Sequence, residues 1–120
     1  MALVQSLNMD KRSMFYARFT IEKNAVPLNL VGIGGDFKIK SAVDEDTTYA
    51  TWTTGGGQIT TDGSGHFTVK VNTATVNALP SGVPLEYVAR LTPYDIDAEA
   101  ATAGFDFRFA QGELIVSEDP

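Results

Sequence analysis

Hydrophobic and polar residues alternate with a period of two over most of the chain, and this pattern predicts strands. From Met14, Phe15, Ala17, Phe19 and Ile21 share one face while Tyr16, Arg18, Thr20 and Glu22 share the other. Lys23-Asn24 starts a turn. Asp36 to Ala42 sets Phe37 and Ile39 against Lys38 and Lys40, and Thr47 to Thr54 is threonine-rich and carries Tyr49 and Trp52. Gln58 to Thr61 and His66 to Val71 pair with each other through the Asp62-Gly63 dipeptide, a tight-turn signal. Leu85 to Leu91 and Glu113 to Ser117 add two more strands. Phe105, Phe107 and Phe109 alternate with Asp106, Arg108 and Ala110, which places all seven phenylalanines on strands.

The segments between these strands are punctuated differently. Ala25 to Gly32 is apolar, but Pro27 cannot donate to a central ladder and assigns the segment to an edge or corner. Asn72 to Leu79 has the composition of one helical turn capped by Asn72 or Thr73 and ended by Pro80. Residues 1–13 alternate loosely before turning polar, and read as an edge strand or as an arm that packs on a neighbour. The whole is an all-β chain, an antiparallel sandwich of seven to eight strands formed by residues 14–120, with one short helical turn near 73–79.

Composition narrows the function classes. The chain has 120 residues, enough for one core, with 43% hydrophobic and 20% charged residues. Fifteen acidic against nine basic residues leave a net charge of −6, which opposes contact with a phosphate backbone, so no nucleic-acid partner is expected. The absence of cysteine removes a thiolate nucleophile, disulfides and cysteine-based zinc sites. The first residues lack the basic and apolar blocks of a signal peptide, and no stretch has the length of a membrane span; no membrane partner is expected.

Candidate chemistry is sparse. His66 is the single histidine, short of the partners that a triad or a metal site needs, and reads as structural. No serine lies in a G-x-S-x-G elbow, and Gly32-Ile33-Gly34-Gly35 lacks both the third glycine and the helix of a dinucleotide loop. Asp95, Asp97 and Glu99 alternate in an acidic stretch and are the calcium candidates, with Asp106 at the twelfth position. Ala100 stands where a calcium loop turns on glycine, so a solvated acidic loop is the first reading there and at Asp44-Glu45-Asp46. Trp52 belongs in the core by its size, and Tyr94, beside Pro93 in a turn, is the ring expected at the surface. No catalytic residue and no cofactor is assigned.

The order of features resembles the small immunoglobulin-like sandwich subunits of tailed bacteriophages and prophages, including the N-terminal domain of the upper baseplate protein family. The residues that carry the likeness are Phe19-Thr-Ile-Glu-Lys-Asn with Val26-Pro-Leu-Asn-Leu, Asp36-Phe-Lys-Ile-Lys, and Gly57-Gln-Ile-Thr with Asp62-Gly-Ser-Gly-His-Phe-Thr-Val-Lys-Val. It continues through Thr75-Val-Asn-Ala-Leu-Pro-Ser-Gly and Leu85-Glu-Tyr-Val-Ala-Arg-Leu to Ala110-Gln-Gly-Glu-Leu-Ile-Val. The resemblance implies a non-enzymatic virion protein of the tail, baseplate or fibre-anchoring region, made in the bacterial cytoplasm and homo-oligomeric among other virion proteins.

Two features depart from the family pattern, the residues before Met14 and the long connection from Pro93 to Gly104, and both are expected to be assembly contacts. The interface candidates are accordingly Leu3, Val4, Leu7, Met9, Tyr94, Asp95 and Asp97. Deleting residues 1–13 is expected to weaken assembly and leave the sandwich folded. The alternatives are a carbohydrate-binding or host-adhesion module, for which Tyr94 to Asp97 supplies a ring and acceptors together, and a capsid decoration protein.

Overall fold

The computed structural model describes residues 3–44 and 46–117. Its elements run β1 (Leu3–Val4), β2 (Leu7–Asp10), β3 (Phe15–Thr20), β4 (Glu22–Lys23), β5 (Val26–Pro27), β6 (Gly35–Ser41), β7 (Thr48–Thr53), β8 (Ile59–Thr61), β9 (His66–Val71), α1 (Thr73–Asn77), β10 (Leu85–Leu91) and β11 (Phe107–Ser117). The large sheet has the order β1-β11-β10-β6-β7, with β2 also on β11, and the small sheet the order β3-β9-β8. The two sheets face one another as an immunoglobulin-like β-sandwich, antiparallel throughout except where β1 and β2 join β11 in parallel.

Period-two burial places the core between the sheets. Phe37, Ile39, Tyr87, Ala89, Phe67 and Val69 are fully buried, while the alternate residues on the same strands face outward. Phe37 on β6 stacks between Trp52 on β7 and Tyr87 on β10, with ring centroids 5.6 and 5.1 Å away. Phe109 on β11 meets Phe67 on β9 at 4.6 Å and Phe19 on β3 at 5.6 Å, which joins the sheets. Trp52 is therefore a core residue, as its size predicts. Asn72 caps α1, its side-chain oxygen accepting from the Thr75 N–H, and the helix turns Val76 inward.

The β8–β9 hairpin turns at Asp62-Gly63 as expected, and Gly65 completes the turn with positive φ (79°), where a Cβ would meet the Ile21 carbonyl at 2.6 Å. Two other features differ from expectation. Phe105 lies before β11, half exposed in a turn that sends its carbonyl to the Tyr94 N–H, so six of the seven phenylalanines are on strands. The alternating Phe107 to Ala110 and the strand expected from Glu113 to Ser117 are also not separate, since β11 runs from Phe107 to Ser117 through Gln111 and Gly112.

That continuity is tied to the N-terminal segment. Leu3 and Val4 align with Ala110 and Gln111, and Leu7 to Asp10 with Leu114 to Ser117, in a single register. Between them, the Gln5 backbone passes over Gly112, where a Cβ would strike the Gln5 carbonyl. The same carbonyl accepts a hydrogen bond from the buried Tyr87 hydroxyl at 2.6 Å. Met9 is 2% exposed and packs in the core. Residues 3–10 are thus the outer strand of the large sheet, and Met9 is corrected from a surface contact to a core residue.

Candidate interaction surfaces

Each polar cluster of side chains has a visible structural task. His66 Nδ1 lies 2.9 Å from Asp62 Oδ2, and Asp62 Oδ1 accepts from the Ser64 and His66 N–H groups at 2.8 and 3.1 Å. The His66 side chain, then the two backbone donors, hold the Asp62 carboxyl below its ordinary value of 3.8. A depressed folded value means that this carboxylate stabilises the hairpin fully above pH 3.8 and loses that contribution as pH falls through the folded value. In an NMR titration, the Asp62 carboxyl is expected to titrate below 3.8 and to move up toward it in His66→Ala; a wild-type midpoint at or above 3.8 refutes this coupling.

A second cluster binds strands together. Arg90 on β10 donates from Nε to Asp36 Oδ1 at 2.9 Å and from Nη2 to Asp36 Oδ2 at 3.0 Å, and reaches Asp106 Oδ2 with Nη1 at 3.1 Å. Those Asp36 hydrogen bonds raise the Arg90 pKa, against the opposing effect of burial. The Thr92 hydroxyl completes the group by donating to Asp106 Oδ1.

The acidic connection is organised by a lysine. Asp95 accepts from the Asp97 N–H at 2.9 Å, and a lone bridge pairs Asp95 with Ala100. Lys23 Nζ donates to the Ile96 and Asp97 carbonyls at 3.3 and 3.4 Å and to Glu99 Oε2 at 3.3 Å. An ammonium thus takes up two loop carbonyls and the Glu99 carboxylate. Among the described residues no three Asp, Glu, His or Cys side chains converge as metal ligands, Asp95, Asp97 and Glu99 included. In the other acidic loop, Asp44 accepts from the Thr47 hydroxyl at 2.7 Å and its carboxyl is held below the usual value by that bond; Glu45 lies outside the described residues.

Tyr94 requires a correction. It is 1% exposed, packed beside Phe107 at 6.4 Å, with its hydroxyl unpartnered and its pKa raised by burial and then by Glu99 and Asp95. The turn carries the ring inward. A sugar platform built on Tyr94 loses its ring, while Asp97 remains at the surface and Asp95 is half-buried.

Surfaces free to meet partners lie elsewhere. Leu3 and Val4 are exposed at one margin of the large sheet, and Leu7 is half-buried. Leu3 also lines an open seam between the sheets with Arg18, Thr20, Phe107 and Phe109. At the other margin, β7 pairs with β6 alone among the described residues, Tyr49 is exposed, and no charge occurs from Thr47 to Thr61. Sequence reasoning missed this edge as a contact candidate because edge position follows from strand order rather than from composition.

No protein-family model matches the chain, and no curated protein sequence matches it. Among solved structures it is similar to the NK cell receptor Nkp44, described as a triggering partner in natural cytotoxicity. The identity is 19%, over 97% of this chain and 100% of that one, with a TM-score of 0.45.

Proposed function

We propose that this chain is a non-enzymatic structural subunit of a bacteriophage or prophage virion, of the tail, baseplate or fibre-anchoring region, that acts by associating with other virion proteins. The observation that carries the reading is the uncharged open edge of β7. Sheet edges in proteins that remain alone are ordinarily blunted by charges, proline or bulges; β7 has neither charge nor proline, its one register shift lies at Tyr49 and the Gln58 side chain takes the Thr53 N–H, so the stretch from Ala50 to Trp52 is the part that offers N–H and C=O groups to a neighbouring chain. The polar clusters support the same reading, since His66, Arg90 and Lys23 each hold a turn or strand in place. Together with the resemblance to phage sandwich subunits, this makes the molecule a stiff body with edges for assembly.

The test is location. With an antibody raised against the purified chain, tailed particles from the source culture are expected to carry it at fixed stoichiometry through density-gradient purification. Immunogold electron microscopy is expected to mark one region of the tail. Particles free of the chain would overturn the reading.

A further inference from the structure

The small sheet ends at β3 in a margin that no described strand covers. Among the described residues β3 pairs with β9 alone, with Ala17 opposite Val69 and Phe19 opposite Phe67. The Ile21 N–H donates to the Gly65 carbonyl at 2.7 Å, just past this ladder, and sets its phase. Phe15, Ala17 and Phe19 therefore exchange hydrogen bonds with β9, while the N–H and C=O groups of Tyr16, Arg18 and Thr20 point away from it, one pair every second residue or about 7 Å. These edge groups have no hydrogen-bond partner among the described residues.

The two sides of this margin differ. Inward, the open seam between the sheets is lined by Leu3, Phe19, Ile21, Phe107 and Phe109. Outward, β3, β8 and β9 carry no carboxylate, in a chain with fifteen acidic residues, and present Arg18 and Lys70 as exposed neighbours on the diagonal. Neither cation has an ion pair among the described residues, whereas His66 on the same face is already held by Asp62. Glu22 stands beyond Thr20 at the far end of the row and confines an added acidic charge to the stretch beside Tyr16 and Arg18.

We propose that the β3 edge accepts an extended segment of a neighbouring protein as an added antiparallel strand, with apolar side chains in the seam and acidic ones beside Arg18. This inference rests on the reading of the chain as an assembly subunit and names the chemistry of one partner. A row of N–H and C=O groups at a two-residue repeat is matched by another backbone in the same conformation. Side chains of that strand alternate, so those opposite Ala17 and Phe19 turn into the seam against Leu3, Phe107 and Phe109, and those opposite Tyr16 and Arg18 stay outside, next to the unpaired guanidinium. A second copy's β3 is a poor occupant, because antiparallel pairing of two such edges about Arg18 brings the guanidinium groups together, and like charges directly opposite are destabilising. The segment is therefore a different strand, acidic where β3 is basic.

The probe is an end-capped heptapeptide, Thr-Val-Glu-Val-Glu-Val-Thr, titrated into the full chain and followed by amide hydrogen exchange. In the free chain the Tyr16, Arg18 and Thr20 amides are expected to exchange faster than those of Ala17 and Phe19 by about tenfold or more, and saturating peptide is expected to slow them by about tenfold. Methylating the backbone nitrogens of the central Glu-Val-Glu keeps every side chain, removes the donors and is expected to abolish binding. Exchanging both glutamates for lysine is expected to weaken binding by about fivefold or more, and Arg18→Glu to reverse that preference. The two peptides read the charge in the parent chain, so the result does not depend on the folding of the variant, which thermal melts monitor. Equal exchange of the two sets of amides, no saturable binding, or a methylated or lysine peptide that binds as well as the first would each overturn the proposal. Peptide binding by a chain absent from particles would remove the virion reading and leave the strand-accepting edge; a virion chain that ignores the peptide would do the opposite.

Discussion

Removal of residues 1–10 is expected to lower the unfolding free energy by about 4 kcal/mol or more, contrary to the behaviour of a detachable arm. Three losses combine. Met9, 2% exposed, leaves a hole in the core, and truncation of a buried methionine costs about 2–5 kcal/mol. The Tyr87 hydroxyl loses its bond to the Gln5 carbonyl at 2.6 Å and the cover of that strand, a net hydrogen bond contributing about 0.5–1.5 kcal/mol. The β11 edge loses Gln5 N–H to the Gln111 carbonyl at 3.0 Å, along with the parallel ladder from Leu7 to Asp10. For a domain whose total stability is about 5–15 kcal/mol, such a loss leaves the chain near its unfolding threshold at room temperature. Urea denaturation measures it. Gly112→Ala is expected to show the same effect at smaller size, since its Cβ strikes the Gln5 carbonyl and displaces that strand. An unchanged urea midpoint for the deletion would restore the free arm.

The difference between that result and the sequence expectation shows what a period of two conveys. Strands β3, β6, β9 and β10 were legible because each buries one face, so Phe15 and Phe19, Phe37 and Ile39, Phe67 and Val69, and Tyr87 and Ala89 stand at every second position. The cap at Asn72 and the burial of Trp52 were legible for equally local reasons. Pairing was not. That residues 3–10 run parallel to β11 depends on Gly112, more than a hundred positions away, admitting the Gln5 backbone, and neither stretch carries a sign of the other. Tyr94 was misplaced by the rule that turns face water; this turn folds its ring against Phe107. Phe105 has the same parity as Phe107 and Phe109 but precedes the strand, so its alternation has no sheet to act on. The acidic residues near 95–99 were read as a set, whereas a lysine distant in sequence, Lys23, takes up their loop carbonyls and Glu99.

Arg90→Leu is expected to cost about 3 kcal/mol, the other large effect in the molecule. Asp36 is 6% exposed and sits in the middle of the sandwich's larger sheet, between Arg90 and Thr53 on the neighbouring strands. A carboxylate in that position has little access to water, and the two-pronged contact from Nε and Nη2 supplies what hydration would. Removing the guanidinium leaves the charge buried and unpaired, and it also frees Asp106, which anchors the turn before β11 together with the Thr92 hydroxyl. The leucine stem replaces most of the lost packing, so the cost is electrostatic in origin. Two companions separate this account from a simple packing defect. Arg90→Lys keeps the charge but cannot span both oxygens, and is expected to lose about half as much. Asp36→Leu with Arg90→Leu removes both charges and is expected to recover to within about 1 kcal/mol of the parent, because a buried pair owes most of its apparent strength to the penalty of leaving one member behind. Chemical denaturation of the four proteins decides the matter: a double variant as unstable as Arg90→Leu would assign the loss to packing, and an Arg90→Leu cost below about 1 kcal/mol would make the pair an ordinary screened surface contact.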